Sequence, residues 1–432
     1  MKDSFKSVAC TQDNSRFENS TKRESQLYSR GNDIRTEFER DYTRLLHCQA
    51  YRRLKHKTQV FFAPHNDHVC TRMEHVQHVA SVATTIAKYL GLNDQLTQAI
   101  ATGHDIGHAP FGHFGEECLN KILGIPEEKN APKKFWHERN SLFFADYIET
   151  LSDPYGDQIN LDLTYAVRDG LICHCGEIDQ QAIKPREDNI DLYSIKRPGL
   201  IQPYTWEGCV VKVADKIAFL GRDIEDAKDY GIIDEAAYRQ VLEIVGSTLG
   251  FSENAQMMAN RKMAVNTTVL INDLIVDMCN RSSPETGLAF SEEYFNFIME
   301  LKKFSASKIY THYRLQKFQE YAKLVLDTIY EVLMNAEVFI KSNKAAVEAK
   351  LSDIVNGASR YELLFKEFEN WLSKYSNYKT RFDKDFKKNH HIKTAQVFDV
   401  ENSESYQKCV IEFISGMTDQ FAMESYNEII QF

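Results

Sequence analysis

Between Arg72 and Leu90 the residues Val76, Val79, Ala80, Ala83, Ile86, Ala87 and Leu90 recur at steps of three and four, which puts them on one face of an α-helix. Gly91 ends that segment. Asn93, whose side chain can cap free backbone N–H groups, opens a second helix through Leu96, Ala99 and Ile100 that reaches His104 and Asp105 just before Gly107. A third helix is predicted from about Cys209 to Tyr230, where Asp215 interrupts an apolar face of Val210, Val213, Ala214, Ile217, Phe219 and Leu220. A lone acid among buried positions requires a partner. Periodicity returns over Leu315 to Leu333, and a closing helix is expected over Val410 to Ile430. Only 19 glycines and 9 prolines interrupt 432 residues, below the usual roughly 7% and 5%. The expected fold class is all-α.

Two stretches read as loops: Gly107 to Gly115 (GHAPFGHFG), rich in helix breakers, and the charged segment Pro126 to Lys134. Residues 1–25 are polar, with too little apolar surface to offset ordering entropy, and are expected to form a flexible tail.

The chain is 43% hydrophobic and 26% charged, enough to bury a sizeable core. Its net charge of −10 disfavours a general binder of nucleic acid or anionic membranes, because the field of the whole molecule repels both. Anionic partners must therefore meet local basic pockets. Between Arg35 and Lys57 seven Arg/Lys residues stand against three acids. Helical charge pairs account for neighbours such as Arg35 and Glu39, while Arg52 and Arg53 suit a phosphate or an internal salt bridge equally well. Nine scattered cysteines do not form a disulfide framework and are read as free thiols. Cys173-His174-Cys175 is too tightly spaced for a zinc site and lacks a second pair nearby. No apolar run approaches the roughly 18 residues of a membrane span, and the start lacks a signal-peptide core. The expected address is cytoplasmic, without membrane attachment.

Eleven of the 14 histidines lie between His47 and His174. Imidazoles concentrated beside carboxylates suit metal binding and proton transfer near neutral pH. His75 falls on the first helix, His104 and Asp105 close the second, and Asp215 joins from the third. Two imidazoles and two carboxylates form an oxygen-rich set suited to a divalent ion, with Mn, Mg or Fe the first choices and Zn or Ni further candidates. Such a site leaves coordination positions for water and phosphate, so hydrolysis of phosphate esters or anhydrides follows. Taken singly, each of these residues is read first as a satisfied buried polar group, and only their context favours a metal site.

The H…HD…D spacing and the sequences around it resemble the HD-domain phosphohydrolases, most closely the deoxyguanosinetriphosphate triphosphohydrolase (dNTPase) branch. The resemblance rests on RTEFERDYTRLLHCQAYRRLKHKTQVF (35–61), TRMEHVQHV (71–79), HDIGHAPFGHFGEE (104–117), LDLTYAVRDGLICH (161–174), VVKVADKIAFLGRDIEDA (210–227) and FISGMTDQFAMESY (413–426). It implies an HD-domain helical core over about 26–240 and a C-terminal helical region over 241–432 that completes the pocket and any oligomer contacts.

Carried over position by position, the resemblance makes His75, His104, Asp105 and Asp215 the metal ligands. Arg72 matches an arginine that grips the triphosphate, and Lys216 is a further phosphate contact. His113 and Glu116 match a His-acid pair beside the scissile phosphate, and His137 a further histidine there; of the two imidazoles, His113 is favoured as proton donor. Gln59 matches the residue that contacts the deoxyribose, and Asp223 the acid that bonds the sugar 3′-hydroxyl. Phe219 stands where the family commonly has tyrosine, which removes one hydroxyl from the sugar or phosphate side. His108 and His78 match no ligand position and are read as supporting residues.

The reaction implied is hydrolysis of a deoxynucleoside triphosphate to deoxynucleoside and tripolyphosphate, by water attack at the α-phosphorus and rupture of the Pα–O5′ bond. Partners implied are a dNTP substrate, a dNTP effector and other copies of the chain in a homo-oligomer. Another HD-type nucleotide phosphohydrolase fits the local sequence less well, since HDIGHAPFGH lacks the words of the alarmone and cyclic-dinucleotide enzymes. The remaining alternative is a non-catalytic oligomer that senses dNTPs or binds single-stranded nucleic acid; the complete ligand set and the His113/Glu116 pair count against it.

Overall fold

A computed structural model describes residues 3–25, 33–62, 70–125, 135–175, 180–248, 267–342 and 361–431. The chain begins with α1 (Phe17–Thr21), α2 (Glu37–His47) and α3 (Gln49–Arg53). The next group is α4 (Arg72–Leu90), α5 (Asp94–Gly103), α6 (Gly112–Ile122), α7 (His137–Phe143), α8 (Tyr165–Cys173) and α9 (Trp206–Asp229). Beyond it lie α10 (Glu235–Thr248), α11 (Thr267–Arg281), α12 (Glu292–Phe304), α13 (Tyr313–Asn335), α14 (Glu337–Ser342), α15 (Glu362–Tyr375), α16 (Phe386–Asn389), α17 (Ser403–Ser415) and α18 (Asp419–Ile430). The described strands form two short antiparallel pairs, Thr150–Ser152 with Gln158–Asn160 and Ala182–Ile183 with Leu288–Ala289. The fold class is all-α, as expected.

Helix α4 starts where Thr71 and Glu74 form a reciprocal capping box: the Glu74 carboxylate accepts the Thr71 N–H at 2.7 Å and the Thr71 hydroxyl accepts the Glu74 N–H at 3.3 Å. It stops at Gly91, whose φ of +81° is left-handed and costs glycine little. The side chain of Asn93 accepts the N–H groups of Gln95 and Leu96 and opens α5. Val76, Val79, Ala83, Ile86, Ala87 and Leu90 are all buried, each larger one worth roughly 1.5–3 kcal/mol over an exposed position. They pack α4 against α5 and α9, and α5 in turn packs on α2 and α8. The ends of α4 and α5 and the middle of α9 therefore meet.

Three expectations need correction. The first 25 residues are not a loose tail: among residues 3–25, Phe5, Ala9 and Cys10 are buried. Phe5 meets Trp206 edge-on at 4.9 Å, the Cys10 N–H donates to Glu207 at 2.9 Å, and Arg23 pairs with Glu37 and buried Asp41 at 2.6 Å each. A few well-placed anchors outweigh the polar average. Secondly, the stretch read as a loop to Gly115 turns helical at Gly112, so His113 and Glu116 sit on α6. Thirdly, the closing helix is two helices, α17 and α18, because the backbone turns at Gly416 and Thr418 caps the second, its hydroxyl accepting the Phe421 N–H. The segment Pro126–Lys134 lies outside the described residues, as do His65 and His68. Among the described residues, no helix is long and apolar enough to cross a membrane.

Candidate functional site

His75 projects from the first turn of α4, and its Nε2 lies 3.0 Å from Asp215 Oδ1 on α9 and 3.9 Å from Asp105 Oδ2. His104 follows directly after α5, with Nε2 3.5 Å from Asp105 Oδ1 and 4.0 Å from Asp215 Oδ1. The ligand atoms of His75, His104 and Asp215 lie within 4.8 Å of one another. His104 Nδ1–H donates to the Ala101 carbonyl at 2.8 Å, which leaves the Nε2 lone pair facing inward. That Nε2 is buried without a hydrogen-bond partner. An orphaned lone pair beside two carboxylates and a second imidazole fits a divalent cation.

Charge is balanced within the cluster. Burial works to raise the Asp105 carboxyl, yet His104, His108 and Arg72 hold it well below the usual range. Burial likewise opposes ionisation of Asp215, but His75 and His104 lower it to about 2. Both acids are therefore carboxylates at neutral pH. Arg72 is buried and donates from Nη1 to Asp105 Oδ2 at 2.8 Å.

The His104-Asp105 turn is held from behind by α7. Ser141 Oγ donates to the His104 carbonyl at 2.7 Å and accepts the Gly107 N–H at 2.9 Å, and the Asn140 amide donates to the Gly107 carbonyl at 2.7 Å. A Cβ on Gly107 would stand 2.0 Å from the Ser141 nitrogen, so this approach admits glycine alone. The C-terminal region adds a second brace. Buried Asp419 accepts the N–H groups of Thr58 and Phe111, each at 2.8 Å, while buried Lys57 donates to the carbonyls of His108 and Ser415.

A second cluster adjoins the first. Glu116 on α6 accepts from His137 at both the ring Nδ1 (3.0 Å) and the backbone N–H (3.2 Å), and His113 lies with them inside a 4.8 Å group. Burial alone would lower the His137 pKa, but Glu138 and Glu116 raise it to about 9. His108 joins the clusters: its Nε2 is 3.2 Å from Asp105 Oδ1, and its ring stacks on His137 at 3.8 Å. His174, buried at the end of α8, packs edge-on against His104 at 5.0 Å and 5.7 Å from His137. Burial, followed by the two neighbouring imidazoles, lowers His174 to about 3, so it is neutral.

The remaining candidates lie on α9 and beside the start of α4. Asp215, Phe219 and Asp223 recur at four-residue steps on α9, with buried Lys216 beside them. Phe219 is partly buried against the core. Asp223 is buried and accepts the Tyr310 hydroxyl at 2.5 Å; burial raises its carboxyl to about 6 against that bond. Gln59 sits beside the start of α4, where Thr58 bridges Thr71 and the Gln59 Oε1 is buried without a partner. Arg53 lies in an ion pair with Glu149 at 2.9 Å.

Sequence reasoning missed Tyr310, Glu138, Lys57 and Asp419, and assigned His174 no part in the site. His174 carries a signal, since it closes the histidine-rich window, but rejecting Cys173-His174-Cys175 as a zinc site sets it aside with the cysteines. All nine cysteines are buried and none forms a disulfide, and no candidate metal cluster among the described residues includes one.

The HD domain family model matches residues 72–220, and the phosphohydrolase-associated domain matches residues 288–354. A deoxyguanosinetriphosphate triphosphohydrolase-like protein of Caldanaerobacter subterraneus subsp. tengcongensis is 30% identical over 92% of this chain and 86% of its own length. Proteins of the same name from Desulfatibacillum aliphaticivorans and Clostridium tetani are each 33% identical, over 74% and 76% of this chain and 78% and 83% of their own lengths. Alignment at this level over most of both chains makes the protein a phosphohydrolase of the HD superfamily, and it belongs to the deoxyguanosinetriphosphate triphosphohydrolase-like family.

Proposed function

We propose that this protein hydrolyses deoxynucleoside triphosphates to deoxynucleoside and tripolyphosphate, with His75, His104, Asp105 and Asp215 holding a divalent ion, Mn, Mg or Fe. The observation that carries the reading is the convergence of these four side chains from three distant stretches around the orphaned His104 Nε2. When bound, such an ion lowers the pKa of water and offsets charge on phosphoryl oxygens. Relatives named deoxyguanosinetriphosphate triphosphohydrolase-like support a nucleoside triphosphate as the substrate and the intact triphosphate as the product.

Arg72 and Lys216 bring positive charge to the triphosphate, the guanidinium acting from a position fixed by Asp105. His137 is the better supported proton donor to the departing 5′-oxygen, in place of His113: Glu116 takes its Nδ1–H, and a pKa of about 9 keeps it charged at neutral pH. His113, on the exposed side of α6, then serves the phosphates. Gln59 and Asp223 contact the sugar, with Phe219 beneath it. Residues 26–240 act as the catalytic core; Tyr310 and Asp419 support a role for 241–432 in completing the pocket.

The test is one panel: purified protein with each of the four dNTPs singly and mixed, with Mn or Mg, beside Asp215→Ala. Tripolyphosphate from at least one condition and none from the variant is expected. Orthophosphate or pyrophosphate instead would move the protein to another HD phosphohydrolase class, and binding without turnover to a sensor.

A further inference from the structure

Against α7 lies a cavity of about 460 Å³, lined by Arg139, Asn140 and Phe143 of that helix and not by His137, within the range of small-molecule sites. Its walls are aromatic, with Phe135, Trp136, Phe143, Tyr147 and Tyr193 among the lining residues. Two cations also line it. Arg139 lies over the Trp136 ring at 5.2 Å and Lys408 over the Phe143 ring at 5.0 Å, and neither has a carboxylate within ion-pair distance among the described residues. The acid lining the cavity is Glu412, which is buried. Burial raises its carboxyl to about 7 against the pull of Lys408, Ser415 and Arg139, so at neutral pH it cancels at most part of the positive charge.

We propose that this cavity is a second ligand site, distinct from the His/Asp cluster, that takes a small planar aromatic compound carrying one anionic group. Tyr147, which is exposed, and the half-buried Tyr193 supply rings for a flat apolar body, with the buried Phe135, Trp136 and Phe143 behind them. Arg139 and Lys408 supply donors for a carboxylate, sulfonate or phosphate. The cavity communicates with the metal cluster through one side chain. Asn140 lines it and also donates to the Gly107 carbonyl and, at 3.1 Å, to Ser415 Oγ, while Ser415 donates to the Glu412 carbonyl at 2.9 Å. An occupant that moves Asn140 or Glu412 therefore displaces the turn carrying Asp105. Ligand binding itself stands or falls independently of the hydrolytic reading.

The probe is 1-anilinonaphthalene-8-sulfonate, compared with its uncharged relative N-phenyl-1-naphthylamine, titrated by fluorescence into the full-length folded protein. The expected result is one saturable sulfonate site per chain. Arg139→Gln and Lys408→Gln, measured separately, each weaken the sulfonate by about tenfold, as loss of a charge-assisted contact should, and leave the uncharged probe within about twofold. Cooperative melting identifies folded variants, and Lys408→Gln alone decides the matter if Arg139→Gln fails to fold. Absence of saturable binding, or equal sulfonate affinity in wild type and the folded variants, overturns the proposal.

Discussion

The carboxylate of Asp419 accepts the backbone N–H of Phe111 at 2.8 Å, across 308 residues of sequence. Phe111 has a left-handed φ of +64°, a conformation disfavoured for a bulky residue, and it leads into the helix that carries His113 and Glu116. The start of α18 thus holds a strained entry to the His113/Glu116/His137 cluster. Asp419→Ala leaves the Thr58 and Phe111 amides without their acceptor, and a loss of about 2–4 kcal/mol is expected. The denaturation midpoint in urea measures it; a change below about 0.5 kcal/mol would remove the brace from the account.

Ser141 tests the support behind the His104-Asp105 turn. Its hydroxyl satisfies one carbonyl and one N–H of that turn, so Ser141→Ala should cost about 1–2 kcal/mol in stability. Because the turn orients two proposed ligands, Mn affinity should also fall by about tenfold. Stability lost with affinity intact would show that the turn positions nothing.

Glu412 gives a pH signature outside the metal cluster. Its folded pKa of about 7 lies above the ordinary glutamate value of 4.5. The native state therefore binds this proton more tightly than the unfolded chain. The benefit is full below about pH 4.5, fades between there and 7, and leaves a constant deficit above, up to about 3–4 kcal/mol at roughly 1.4 kcal/mol per unit. Glu412→Gln cannot ionise, so its melting temperature should gain on wild type as pH rises from 5.5 to 8. Parallel melting curves across that range would contradict the assignment.

Tyr310 places a hydroxyl on Asp223 from the C-terminal half of the chain, one helical turn along α9 from Phe219. If Asp223 binds the sugar as proposed, Tyr310→Phe should raise KM for a dNTP by about three- to tenfold with a smaller change in kcat, as loss of one hydrogen bond to that carboxylate predicts. An unchanged KM would detach Asp223 from the sugar.

Local chemistry was legible and long-range docking was not. The start and end of α4, the Asn93 cap and the positions of His75, His104, Asp105 and Asp215 depend on periodicity and capping that a few adjacent residues encode. The docking of Phe5 on Trp206 and of Cys10 on Glu207 depends on partners about 200 residues away, and composition averages such anchors into a polar tail. The same holds for Asp419. It lies in a stretch whose family resemblance was plain, but its bonds to Thr58 and Phe111 have no local signature. His174 and Glu138 become part of the site only when α8 and α7 pack side by side.

The central claim is that His75, His104, Asp105 and Asp215 form one divalent-ion site. Calorimetric titration of Mn into metal-stripped protein tests it most directly. One high-affinity equivalent per chain in wild type, and none in Asp215→Ala or His104→Ala variants that retain wild-type helicity, is the expected result. Undiminished stoichiometric Mn binding by those folded variants would contradict it.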